Sequence, residues 1–290
     1  MSLTRYAPAT FVLLWSTGFL GAKLGLPYAD WASFLFLRFA AASILLCAIC
    51  VFLAARLPAI RDAGPAAVAG LLIHFGYLGG VFAAIEAGLP AGLTALIVGL
   101  QPALTAVIAW PVFGERLSVA AMCGCVLGVA GVGLVVADGA GWSPAALSGA
   151  DPFAYVAAIA ALAAMTAGFL HQKRIGDSID PWAAQTIQAV AAAAAFGLAA
   201  LIVGELRVVW TGEFVFALAW LVLVLTLGAI GLLYALMKIG AAAKTASLFF
   251  LTPATTAVLA WLLFNEQLGW GGVAGFACAG LGVWLVRRRG

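Results

Sequence analysis

Few side chains in this sequence could do chemistry, and most of those interrupt long apolar runs. His74 and Tyr77 sit among Leu, Ile, Phe and Gly, and Trp15 follows Leu13-Leu14. Gln101 and Thr252 each stand immediately before a proline, Pro102 and Pro253. Lys23 and Arg38 are cations in similar surroundings. An imidazole, a phenol, an indole, an amide and a hydroxyl offer hydrogen bonds and ring faces, a set suited to holding a small polar solute. No HExxH motif, no GxSxG motif with a histidine partner and no carboxylate pair occurs, so no enzymatic activity is expected. A GxxxxGK[ST] loop is absent too, which excludes ATP as the direct energy source. No cofactor or metal is called for.

The elements that must position these groups follow from composition. Of the 290 residues, 66% are hydrophobic and 9% charged, against about 25% charged in a soluble domain. The mean hydropathy of +1.16 leaves too little polar surface to coat a globule in water, so lipid is the expected solvent. The net charge of +3 comes without a basic stripe or recognition motif, so no nucleic-acid partner is expected. Cys47 and Cys50 form a CxxC, but no histidine lies near and the surroundings are apolar. All five cysteines read as packing residues. The first apolar run is long enough to span and carries only Arg5 as a positive flank, so it reads as a retained helix, not a cleaved signal.

A spanning helix needs about 20 apolar residues. Cutting the runs at turn residues and charges predicts ten spans: 8–27, 31–54, 65–86, 90–112, 118–136, 152–172, 181–203, 214–237, 242–264 and 269–286. Pro8, Ser118, Pro152 and Asp180-Pro181 mark starts, as N-cap and first-turn preferences predict. With the N-terminus inside, the cytoplasmic face receives 11 of the 14 Lys and Arg residues. The other face receives two, Lys23 and Arg207, and Arg38 lies within a span. That bias predicts both termini in the cytoplasm of a plasma (bacterial inner) membrane. GxxxG spacings at Gly21/Gly25, Gly76/Gly80, Gly124/Gly128 and Gly271/Gly275 predict close helix packing.

The segment from Thr94 to Leu117 recurs 151 positions later, from Thr245 to Leu268, with 13 of 24 positions identical. Pro102/Pro253, Thr105/Thr256 and Glu115/Glu266 are among them. Gly18-Phe19-Leu20-x-x-Lys23 returns as Gly168-Phe169-Leu170-x-x-Lys173. Two copies of five spans must insert with opposite topology, because five is odd. The expected organisation is a first five-helix repeat over 1–137, an extracytoplasmic linker over 138–151 and a second repeat over 152–290. Pro102 and Pro253 cannot donate to Val98 and Phe249 four residues back. Helix kinks are expected there, facing a central cavity that satisfies the freed carbonyls.

These motifs resemble a known family. Leu14-Trp15-Ser16-x-Gly18-Phe19, then Lys23 and Arg38-Phe39, resembles the start of an EamA domain. Thr94…Pro102…Glu115-Arg116-Leu117 and its second copy do so as well. The likeness covers both halves and points to the ten-helix drug/metabolite transporter superfamily, and within it to exporters of amino acids and related metabolites. It implies a central cavity formed mainly by helices one, three, four, six, eight and nine.

Within that frame each residue takes an expected role. Trp15, Lys23, His74, Tyr77, Gln101 and Thr252 are expected to contact substrate. His74 lies about 15 Å deep, where an ionisable group is a functional hypothesis by default. Tyr77 follows it at i+3, on the same face of an α-helix. Pro102 and Pro253 are kink and gating positions. Arg38, Glu86, Glu115 and Glu266 are expected to be structural charges. Arg38 needs a partner, and Asp30, Glu86 or a substrate carboxylate can supply it. The expected function is export of small metabolites, foremost amino acids, through a central cavity that opens to each side in turn. The partners are a small-molecule substrate and the bilayer, and the carrier is expected to act as a monomer. A multidrug, organic-cation or nucleotide-sugar carrier of the same fold is the alternative. An intramembrane enzyme and a passive channel are the readings from other classes.

Overall fold

The computed structural model describes residues 3–114, 118–138, 151–175, 179–203, 206–229, 232, 236, 252–264 and 269–287. The described residues are almost entirely helical, and the only β-pairing among them is one isolated bridge, Ala29 to Val208. The helices are α1 (Leu3–Gly25), α2 (Trp31–Phe52), α3 (Ile60–Gly70), α4 (Gly79–Glu86), α5 (Ala91–Val98) and α6 (Gln101–Phe113). They continue as α7 (Val119–Asp138), α8 (Pro152–Ile175), α9 (Pro181–Ile202), α10 (Gly212–Ala219), α11 (Thr252–Phe264) and α12 (Trp270–Arg287). A π-helical segment, Leu71–Leu78, joins α3 to α4, and another, Trp220–Ala229, extends α10. Six of these stretches are long and apolar enough to cross a membrane. Shorter apolar helices include Thr255–Phe264 and Trp270–Gly282.

The two halves repeat in their details. Asp30 caps α2 by accepting from Ser33 N at 2.9 Å. One repeat later Asp180 caps α9 through Trp182 N and Ala183 N, at 2.9 and 3.3 Å. Ser16 Oγ donates to Val12 O at 2.7 Å, and Thr166 Oγ1 donates to Leu162 O at 2.8 Å, 150 positions on. The two π-helical segments occupy equivalent places in the third span of each half.

Three expectations about the helices need correction. Pro8 does not start α1, which begins at Leu3 and accommodates the proline in its first turns. The fourth span is broken, not kinked. α5 ends at Val98, Gly99 and Leu100 form a turn, and α6 begins at Gln101. Pro102 therefore lies in the first turn of a new helix, where its missing N–H removes no hydrogen bond. The third correction concerns His74 and Tyr77. They fall in a π-helical segment, which carries more residues per turn than 3.6, so positions three apart no longer share a face. Pro253 lies in α11, and the residues that precede Thr252 lie outside the described residues. Glu115, Glu266, Lys238, Lys244 and most of the linker lie outside the described residues.

Close approaches at glycines hold the bundle, two of them at Gly99 and Gly282. A Cβ on Gly99 would overlap Pro253 Cγ, so α5 and α11 touch backbone-close where the fourth and ninth spans meet. A Cβ on Gly282 would strike Gly124 O and would come within 2.8 Å of Gly128 N. The Gly124/Gly128 spacing is thus a contact surface between α7 and α12, as small-residue interfaces predict. On the face that the charge bias assigns to the outside, Val209 N donates to Tyr28 O at 2.8 Å beside the Ala29–Val208 bridge. The Tyr28 hydroxyl also donates to Glu213, which raises the Tyr28 pKa above its ordinary 10.0. The first loop of one half is therefore tied to the second loop of the other.

Candidate functional site

The broken span lets residues of both halves meet at mid-depth. A small cavity of about 20 Å³ is lined by Trp15 and Phe19 of α1, Tyr77, Met165 of α8, and Thr252 and Pro253 of α11. Ala95, Val98, Gly99 and Gln101, on either side of the break, complete it. Its volume gives room for about one water, far below the roughly 300–1,000 Å³ of a small-molecule site, so a solute fits only when these walls part. Counted from the outer helix ends at 1.5 Å per residue, Trp15, Tyr77 and Gln101 all lie about 13–15 Å deep. The carbonyl end of α5 and the amide end of α6 meet at this level. Such half-helix ends carry partial charges of opposite sign.

The polar atoms of the wall are arranged unevenly. The Trp15 indole N–H donates to the Tyr77 hydroxyl, which keeps its own proton free to donate. Gln101 Nε2 donates to Thr105 Oγ1 at 2.8 Å, which leaves the Gln101 carbonyl as the acceptor. Thr252 is 5% exposed, and among the described residues its buried hydroxyl has no hydrogen-bond partner. A buried, unsatisfied hydroxyl costs about 1–3 kcal/mol. The cavity therefore offers free donors at Tyr77 and Thr252 and an acceptor at Gln101. Ser16 and Thr256 stitch α1 to α11 just behind it. Ser16 Oγ reaches Thr252 O at 3.3 Å, and Thr256 Oγ1 donates to Ser16 O at 3.4 Å.

Of the residues expected to contact substrate, the structure brings Trp15, Tyr77, Gln101 and Thr252 to one wall, with Pro253 beside them. Two others stand elsewhere. Lys23 Nζ lies 4.6 Å from the Phe264 ring centroid, at the outer ends of α1 and α11. His74 faces α9: it hydrogen-bonds Gln185, and its ring lies 5.0 Å from the Phe39 ring. The wider π-turn sends His74 to the helix interface and Tyr77 to the cavity. The expected counter-ions of Arg38 are also engaged elsewhere. Asp30 caps α2, and the exposed Glu86 carboxylate accepts from Trp31 N at 3.1 Å. Met165 is a lining residue that the residue types did not single out. The repeat offset does find it, because Met165 is the second-half equivalent of Trp15, as Thr252 is of Gln101.

The comparisons with known proteins agree with this architecture. The EamA-like transporter family matches residues 8–137 and 152–288. An "Uncharacterized transporter YvbV" of Bacillus subtilis is 25% identical over 288 residues, covering 97% of this chain and 90% of that protein. A "Probable amino-acid metabolite efflux pump" of Salmonella typhimurium is 29% identical over 166 residues, covering 57% of this chain and 51% of that protein. One solved crystal structure superposes with a TM-score of 0.68 at 20% identity, covering 98% of this chain and 96% of the other, which shows a shared fold.

Proposed function

Because the chain belongs to the EamA-like transporter family, of the drug/metabolite transporter superfamily, we propose that it is a secondary carrier exporting small zwitterionic metabolites, foremost amino acids, from the cytoplasm. The observation that carries this reading is the mid-depth cavity shared by both halves, with donors at Tyr77 and Thr252 and an acceptor at Gln101. A carboxylate suits the donors and an ammonium suits the acceptor. The name of the Salmonella typhimurium relative supports the same substrate class.

Alternating access follows from the inverted halves. Each half supplies one equivalent of every gating helix, so exchanging their conformations closes one side and opens the other. The ties among Tyr28, Glu213, Ala29 and Val208 are contacts that opening the outer side would break. The charge bias supports cytoplasmic termini and a plasma-membrane, inner-membrane location. The division into repeats at 1–137 and 152–290 belongs to the same reading, as does action by a single chain. A passive channel is less favoured, because the polar groups cluster at one level instead of lining a continuous path. The test is counterflow in proteoliposomes preloaded with unlabelled amino acid. Saturable entry of labelled amino acid supports the proposal, and absence of entry across the twenty common amino acids removes the substrate claim.

A further inference from the structure

Among the described residues Arg38 has no carboxylate partner inside the bundle. It is 5% exposed, at about the depth of Tyr77, about 10 Å along α2 from Trp31. Its Nε is buried without a hydrogen-bond partner, and among the described residues no carboxylate pairs with it. The sequence explains why. All 11 Asp and Glu residues of the chain lie at or beyond the ends of spans, so the chain supplies no anion at this depth. The guanidinium carbon lies 5.3 Å from the Phe39 ring. Arg38 interacts electrostatically with both Tyr77 and His74. Histidine contributes no negative charge, and Tyr77 lines the cavity within electrostatic reach of Arg38.

A buried cation whose partner is missing is costly, and ionisable groups within membranes mark substrate paths. We propose that Arg38 is the charge-selecting residue of the carrier: a fixed positive charge behind Tyr77 that favours solutes bearing a carboxylate and excludes cations. Tyr77, accepting from Trp15 and free to donate, relays that field to the solute. This assigns Arg38 a role in specificity instead of the structural pairing expected from sequence. It rests on the carrier reading above and sharpens it, because it argues against organic cations as cargo.

The experiment uses the full chain in proteoliposomes with two probes of equal shape, labelled L-leucine and labelled L-leucinamide, which lacks the carboxylate. Wild type is expected to carry the acid over the amide by about tenfold or more. Arg38→Gln is expected to bring that ratio close to one, and Arg38→Lys to keep most of it. An unaltered ratio in Arg38→Gln overturns the inference and leaves the carrier reading standing. Flux of neither probe nor of any other amino acid in wild type removes the carrier reading, and the inference falls with it. Thermal unfolding of Arg38→Met in detergent supplies the second arm. An unpaired charge kept for selection predicts a midpoint equal to or above wild type. A midpoint well below wild type, or failure to fold, marks Arg38 as a structural residue and also overturns the inference.

Discussion

At the residue scale, the account turns on groups whose hydrogen-bonding capacity the protein leaves open. Thr252 is the clearest, because it lines the cavity and its buried hydroxyl has no partner among the described residues. Thr252→Val keeps the shape and removes the unsatisfied oxygen. The thermal midpoint is therefore expected to hold or rise, while the KM for counterflow rises about tenfold. A lowered midpoint with an unchanged KM would make the hydroxyl structural. Tyr77→Phe removes both the hydroxyl that accepts from Trp15 and the donor to the solute. Its expected effect is larger, a loss of about ten- to a hundredfold in counterflow rate. His74→Phe is the contrast. It loses the hydrogen bond to Gln185, so helix packing weakens, and transport per folded molecule stays close to wild type. A collapse of transport in well-folded His74→Phe would return the histidine to the cavity.

At the element scale, the same physics explains what the sequence made legible. The Pro102 and Pro253 repeat located the centre of the molecule, because prolines at equivalent depths in two apolar spans must be accommodated somehow. How they are accommodated was not legible. A proline within an apolar run reads as a kink, whereas the observed break at Gly99-Leu100 depends on Gly99 meeting Pro253 from the other half, a tertiary contact. The faces of His74 and Tyr77 escape the sequence for a related reason: a π-helical segment leaves no mark in the spacing of apolar residues. Arg38 was recognised as needing a partner, but that Asp30 serves as a cap and Glu86 binds a backbone amide is visible only in the fold. Gly99→Leu is expected to force α5 from α11 and abolish transport even where protein accumulates. Gly282→Leu, which would separate α12 from α7 away from the cavity, is expected to lower the thermal midpoint and leave the KM unchanged. Equal effects of the two on the KM would remove the distinction between a cavity-forming crossing and a packing seam.

At the scale of the whole molecule, the doubling, the charge bias and the cavity describe one machine. The halves match in caps, in Ser16 and Thr166, and in their π-helical segments, so both sides can be gated by the same parts. They differ in the cavity wall: Met165 stands in the second half where Trp15 stands in the first, and Thr252 where Gln101 stands. That asymmetry is what a carrier for one class of solute requires from two copies of one design. The central claim is that a solute is carried through this cavity by exchange of access, and counterflow tests it most directly. Proteoliposomes loaded with unlabelled amino acid are predicted to show a transient overshoot of labelled substrate that saturates with concentration and disappears in Tyr77→Phe. Entry that never overshoots and grows linearly with concentration, or discrete single-channel currents, would contradict the account.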